Sequence, residues 1–223
     1  MDILYEDNHL LAVNKPVGML SQGDETGDQS VVDWVTEYIR VTYSKPGNVY
    51  VGLLHRLDRP AQGVLLLAKT SKAAARVSKM FQQKVPEKTY LIVTERIPQP
   101  AEGMLVHHLK KIAGKNIMKA FKKPVHASKE ATLEYQVIQK VGRRALVEVK
   151  LHTGRRHQIR AQFGAIGCPI VGDVKYGKTD FLPDKSIALQ AASLGIPHPV
   201  KQDFFEMRAP FPKGSPWDAF TLR

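Results

Sequence analysis

The chain has 223 residues, 43% of them hydrophobic, a formal net charge of +12 at pH 7, and a single cysteine, Cys168. That length can bury the core of one large domain or two small ones, while one thiol excludes an internal disulfide framework and argues against a thiolate zinc site. No apolar run approaches the roughly 20 residues a bilayer demands and the acidic start Met1-Asp2-Ile3-Leu4-Tyr5-Glu6-Asp7 is no signal peptide, so a cytosolic location is expected, with a polyanion, RNA or DNA before membrane, as the partner of so basic a surface.

Residues 3–6 and 10–14 read as two short strands around the turn pair Asp7-Asn8, and Lys15-Pro16 ends the second. Gly18 to Asp28 is polar and reads as a mobile loop. Ser30 is placed to cap a helix from Val31 to about Tyr43, with Val31, Trp34, Val35, Tyr38 and Ile39 at helical spacing. A strand over Tyr50–Leu54 leads into a turn at Asp58, and Val64–Ala68 leaves it. Thr70-Ser71 opens a helix to about Lys84, with Ala74, Val77, Phe81 and Val85 on one face. Lys88–Thr94 is a strand. Met104–Leu109 and Asn116–Phe121 are the arms of a hairpin carrying Lys110, Lys111, Lys115, Lys119, Lys122 and Lys123, and 131–139 with 144–151 form another around Val141-Gly142-Arg143. Thr153-Gly154 begins a helix with Ile159, Phe163 and Ile166 on its buried side. Ile187–Leu194 and Phe204–Met207 are late strands, and Trp217 to Phe220 a terminal turn. Many strands, few helices and hairpins between sequence neighbours predict an α+β chain on a mixed, largely antiparallel sheet, with no linker to divide it, hence one domain over 1–223.

Two stretches carry chemistry. His55-Arg56-Leu57-Asp58-Arg59-Pro60 places one carboxylate between two guanidinium groups at the mouth of a buried strand. Such partners hold an acid ionised, which suits a nucleophile, a base or an electrostatic anchor, or equally a plain ion pair fixing a turn. His152-Thr153-Gly154-Arg155-Arg156-His157-Gln158-Ile159-Arg160 sets cations on a helix start, where they are unfavourable unless a phosphate or a carboxylate answers them. Arg160, next to buried Ile159, needs a partner, and Asp58 is a candidate. The Lys-rich hairpin with Phe121 fits an RNA-gripping element or a solvated loop. His107 and His108 are adjacent, so on a strand they face opposite ways and do not easily share a metal. Cys168 reads as a buried or half-buried free thiol, and the nucleotide-binding, zinc-hydrolase and serine-esterase signatures are all missing.

Together these stretches resemble the RluA-type RNA pseudouridine synthases. Leu11-Ala12-Val13-Asn14-Lys15-Pro16-x-Gly18 is similar to that family's opening strand, and His55-Arg56-Leu57-Asp58-Arg59-Pro60-x-x-Gly63 with Leu65-Leu66-Leu67-Ala68-Lys69 to its catalytic-aspartate signature. Lys88-Thr89-Tyr90 is similar to its aromatic motif. Thr153-Gly154-Arg155-x-His157-Gln158-Ile159-Arg160, followed by Gly167-x-Pro169-Ile170-Val171-Gly172-Asp173 and Tyr176-Gly177, is similar to its late arginine motif, and Leu194 with His198-Pro199 to its closing strand. The resemblance implies a central sheet of two halves with the active cleft between them, and isomerisation of uridine in ribosomal or transfer RNA without cofactor or metal, by a protein expected to be a monomer. It implies Asp58 as the essential acid, attacking sugar or base or removing a ribose proton. Tyr90 would stack on the uracil and Arg160 pair with Asp58. Arg56 would enter the RNA, Leu194 pack against the base, and Lys88, Arg155 and His157 hold the substrate. The chain departs from the family at Ala61-Gln62, where Thr-Ser is usual, and at Gln162, Cys168 and Gln190, where histidines are common; these bear on substrate preference. The alternative is a non-catalytic RNA-binding protein on the same fold.

Overall fold

The computed structural model describes residues 1–177 and 180–221. By internal contacts the chain forms two compact units, Met1–Pro86 with Ala191–Pro210, and Glu87–Gln190 with the tail from Phe211. Mostly antiparallel strands and, among the described residues, three α-helices give the α+β class that the hairpin-rich pattern predicts.

The first unit opens with β1 (Asp2–Glu6) and β2 (Leu10–Lys15), joined at Asp7, whose Oδ1 accepts the backbone N–H groups of His9 and Leu10 at 2.7 Å each. Helix α1 (Val31–Thr42) is capped by Ser30 in a capping box with Asp33, as the Ser-x-x-acid spacing requires. The short β3 (Gly52–Leu53) and the apolar β4 (Gln62–Ala68) pair antiparallel, and β4 pairs β2 with Leu10 opposite Ala68 and Lys15 opposite Gly63. Strand β3 is two residues long where five were expected. Alternation then sorts the faces: Leu10, Ala12, Val64, Leu66 and Ala68 pack with Ala73 and Val77 of α2 (Ser71–Gln82), which Thr70 caps. Val85, expected on the α2 face, is 41% exposed, because Lys84 at φ +58° has already turned the chain out of the helix.

In the second unit β5 (Glu87–Thr94) pairs with β9 (Arg144–Leu151), β9 with β8 (Lys129–Val141), and β8 with β6 (Glu102–Lys111), whose far edge carries β7 (Met118–Phe121). Both expected hairpins are therefore present, since their turns at Gly114 and Gly142 supply the positive φ that the chain reversal uses. One face of this sheet is closed by α3 (Gln158–Ala165), a helix buried nearly all round: Phe163 meets Tyr135 edge-on at 5.6 Å, and Ala161 packs with Leu109 and Ala131. The chain then returns through β10 (Leu189–Pro197), from Ala191 on part of the first unit, and β11 (Phe204–Arg208), which pair antiparallel and add Leu194, Ile196 and Met207 to that unit's core. Trp217–Ala219 form the expected terminal turn.

Candidate active site

In the first unit the segment around Asp58 is held residue by residue. His55 Nε2 accepts the Leu66 N–H at 3.0 Å, and Ser21 Oγ both donates to Leu57 O (2.9 Å) and accepts from Leu57 N (3.0 Å). A turn closes from Ala61 N–H to Asp58 O at 3.0 Å. Arg59 leans away: its Nε donates to Gly18 O at 2.9 Å and its Nη2 meets Asp28 at 2.6 Å, while Gly18 N–H donates to Arg59 O. The 18–28 segment, expected as a free loop, is thus fastened to the Asp58 turn at Gly18, Ser21 and Asp28. Asp58 is left half-buried between two anchored neighbours, and Arg56 is exposed.

A cation that the local sequence does not reveal also acts on Asp58. Lys15, at the end of β2, is fully buried, and its Nζ donates to three carbonyls, Met19 O (2.7 Å), Pro16 O (2.9 Å) and Arg59 O (3.2 Å). Burial pushes its pKa down to about 7; the Asp58 carboxylate opposes that and Arg59 adds to it. Three carbonyl acceptors call for three N–H donors, so it is the ammonium that this loop recognises. A lysine ending a strand whose first four residues are all apolar was the available signal. The flanking arginines suggest themselves as partners of Asp58 by adjacency, but adjacent residues on a turn point apart, and Arg59 directs its Nε to Gly18 and its Nη2 to Asp28.

Gly63 fixes the turn from the other side. Its φ is +111°, and a Cβ there would sit 2.2 Å from Ala191 O and 2.7 Å from Ala191 N, both backbone atoms of β10. Gly63→Ala is expected to cost about 3 kcal/mol or more, since neither strand can yield without losing its ladder. Gly18→Ala meets nothing within 4 Å at φ +77° and should cost only about 1 kcal/mol of backbone strain. Urea unfolding of the two variants tests this; equal losses would refute the role of the close approach.

Leu194, expected to meet a base, is 2% exposed and lies in the core with Leu66, Ile196 and Met207.

The second unit gathers the other expected residues. Tyr90 sits opposite Val149, which sits opposite Tyr135, so its side chain belongs to the sheet face that α3 covers; Lys88, two residues back, shares that face. Lys88 Nζ comes within 3.9 Å of where a Cβ on Gly154 would stand. The 153–157 stretch is not the start of a helix, as its Thr-Gly opening predicts, but a loop closed by a side chain. Gln158 Oε1 accepts from Thr153 Oγ1 (2.7 Å) and Arg155 N (2.9 Å), its Nε2 donates to Thr132 O (3.1 Å), and His157 precedes the helix at φ +50°. Arg155 and Arg156 therefore lie outside α3, and the expected clash of cations with its dipole does not arise. Arg155 Nε donates to Glu130 O at 2.9 Å.

Arg160, on the first turn of α3, is 4% exposed and bound in bidentate fashion by Asp173, Nε to Oδ2 at 2.7 Å and Nη2 to Oδ1 at 2.8 Å. Within its own unit this is the carboxylate that a buried guanidinium demands. Its ring neighbour is Tyr176, 5.3 Å from the guanidinium carbon. His157 is 9% exposed and its Nδ1 lies 2.8 Å from Tyr176 Oη. Asp173, Tyr176 and Gln158 are visible in the sequence only as letters of the late arginine stretch; the positions of Asp173 and Tyr176 depend on the 169–177 loop folding back over α3, and that of Gln158 on its bonds to Thr153, Arg155 and Thr132.

His107 is buried and His108 is not, as strand alternation predicts, and Cys168 is a buried thiol. Among the described residues no three His, Cys, Asp or Glu side chains gather to hold a metal, and no helix is long and apolar enough to cross a membrane.

The model of the RNA pseudouridylate synthase family matches residues 9–165. An uncharacterized RNA pseudouridine synthase of Aquifex aeolicus is 31% identical over 94% of the chain and 70% of its own length. The tRNA pseudouridine synthase C of Haemophilus ducreyi is 38% identical over 79% of the chain and 74% of its own length, and the ribosomal large subunit pseudouridine synthase C of Rickettsia felis 31% identical over 94% and 68%. Among solved structures, human RNA pseudouridylate synthase domain containing 4 superposes with a TM-score of 0.78 over 95% of the chain and 88% of its own, at 23% identity, a likeness of fold.

Proposed function

The chain belongs to the RNA pseudouridylate synthase family, an isomerase of uridine in RNA, and from that premise we propose that Asp58 is its essential carboxylate and that ribosomal or transfer RNA is its substrate. The observation that carries the first part is the frame around Asp58: Leu57 held by Ser21, Arg59 held by Gly18, and a buried ammonium, Lys15, tied into the same turn by three carbonyls. A carboxylate so fixed, with a cation acting on it and its own side chain half in solvent, can attack a bound substrate or take a proton from it, and both roles need its charge.

The reaction needs the glycosidic bond exposed, so the target nucleotide must leave its stack, at a cost of a few kcal/mol. Tyr90 offers an aromatic face on which the freed uracil can stack, offsetting about 1–3 kcal/mol of that. Lys88, Arg155 and His157 contact the RNA, and Arg56 from its exposed position enters the stack. Arg160 is the fixed cation of the late motif. For the RNA class, the relatives named above act on transfer RNA in one case and on large-subunit ribosomal RNA in another, and the +12 charge fits either polyanion.

Tritium release from RNA labelled at uridine C5 tests both parts, with ribosomal and transfer RNA assayed separately. The proposal expects release from at least one class by the wild type and none by Asp58→Ala. Release that survives the substitution would refute the assignment of Asp58, and the RNA that responds identifies the substrate class.

A further inference from the structure

Tyr176 bonds the basic hairpin β6–β7 to the late arginine motif, beside a second link from α3 in which Gln162 Nε2 donates to Leu105 O of β6 at 3.0 Å. Tyr176 Oη lies 2.8 Å from the backbone N of Met118, the first residue of β7, and 2.8 Å from His157 Nδ1. The Met118 N–H can only donate, so Oη accepts there and its own hydrogen is suited to His157 Nδ1. The ring of the same tyrosine lies under the Arg160 guanidinium at 5.3 Å and edge-on to His157 at 5.7 Å, and it packs beside Met118 and Ala120 of β7 against Leu109, Ala131 and Ala161. The backbone around it is held as closely: a Cβ on Gly164 of α3 would stand 2.9 Å from Tyr176 O, and Asp173, which grips Arg160, also caps the loop through Lys175 N–H and Gly177 N–H.

The hairpin that Tyr176 holds is built for an anion. Lys110 and Lys119 face each other across the β6–β7 ladder, a like-charge pair that costs stability unless something negative lies over it, and Lys119 is itself seated over the Phe121 ring at 5.2 Å. Each phosphate such a pair neutralises adds to the salt dependence of binding.

We propose that Tyr176 is a positioning residue, the joint through which RNA seated on the β6–β7 hairpin sets the placement of His157 and Arg160. The proposal rests on the isomerase reading above. RNA phosphates on Lys110 and Lys119 draw the hairpin into one position; the Met118 amide carries that position to Oη, and Oη to the imidazole and the guanidinium beside it. An RNA that does not reach the hairpin would then be turned over more slowly even when bound.

The test is a double-mutant cycle between Tyr176→Phe, which keeps the ring on Arg160 and removes the hydroxyl bonds to Met118 and His157, and the pair Lys110→Ala with Lys119→Ala on the hairpin. Single-turnover tritium release at saturating protein removes affinity from the readout. Each arm alone is expected to slow release about tenfold, and all three substitutions together also about tenfold, because the lysines act through the hydroxyl. Losses that multiply to about a hundredfold would overturn the joint. Binding of fluorescently labelled ribosomal and transfer RNA across a salt series reads the cycle independently of turnover: the lysine pair should weaken binding and flatten the salt dependence in the wild type, and do so much less once Tyr176 is Phe. Equal lysine effects in both backgrounds would overturn it as well. A wild type that binds RNA yet releases no tritium from either class would count against the substrate reading alone, and the binding cycle would still decide the joint.

Discussion

Asp58→Asn is expected to lower uridine isomerisation by at least about 10⁴-fold while the protein remains folded, read as single-turnover tritium release beside a urea melt. The substitution keeps the shape of the side chain, and the turn keeps the bonds it has from the backbone and from Ser21, Gly18 and Lys15. What it removes is charge, which a nucleophile or base in this position cannot lack. It has a second effect that a purely catalytic residue would not have. Lys15 is fully buried, with a pKa of about 7 against 10.5 for an unburied lysine, and the Asp58 carboxylate is what raises it from a still lower value. Between about pH 7 and 10.5 the unfolded chain holds a proton that the folded chain has shed, so stability from this residue rises with pH over that window; below pH 7 both states carry the proton and the dependence stops. Without the carboxylate the folded pKa falls further and the rise should begin below pH 7. Stability curves of wild type and Asp58→Asn from pH 5 to 10 should diverge on the acid side of 7. Parallel curves would show that Asp58 and Lys15 are not coupled.

Asp173→Asn should cost about 3–5 kcal/mol of stability, because it leaves the Arg160 guanidinium 4% exposed and without the bidentate carboxylate on which it is seated. For a chain of this size that is a fall in melting temperature of about 6–20 °C. An amide can still accept one hydrogen bond, but it cannot answer a buried charge. Replacing both partners with apolar residues, Arg160→Met with Asp173→Leu, should recover part of the stability, since the two charges of the pair leave together while the Lys175 N–H loses its acceptor. Recovery of fold without recovery of tritium release would mark Arg160 as needed for the reaction; recovery of both would remove it from the site. A loss below about 1 kcal/mol in Asp173→Asn itself would mean that the pair is not the anchor its geometry describes.

Hydrophobic periodicity and turn chemistry placed most of the elements before any coordinates, because those signals are local. Ser30 and Thr70 announce helices α1 and α2 by capping, and the turns at Gly114 and Gly142 announce hairpins. Local signals failed where a side chain from elsewhere satisfies the backbone. Thr153-Gly154 looks like a helix opening, yet the amide of Gln158 folds back and closes a loop in its place. Val85 continues the apolar spacing of α2, but the helix has already ended at Lys84. The order of motifs likewise identified the family, since five stretches in register are readable as letters.

Charge pairing was legible only in three dimensions. Adjacency offered Arg56 and Arg59 to Asp58; the fold sends Arg59 to Asp28 and brings Lys15 from another strand to act on the carboxylate. Arg160 could be seen to need a partner because Ile159 beside it is apolar, but that Asp173 serves within its unit follows from the 169–177 loop returning over α3. The sequence by itself determined the α+β class, the caps and hairpins, and the family, because backbone propensity and side-chain alternation act over a few residues. The tertiary structure decided which charges meet and which groups are buried, because electrostatic and hydrogen-bond energies depend on distance through space and on exclusion of water, and neither is written in the spacing along the chain.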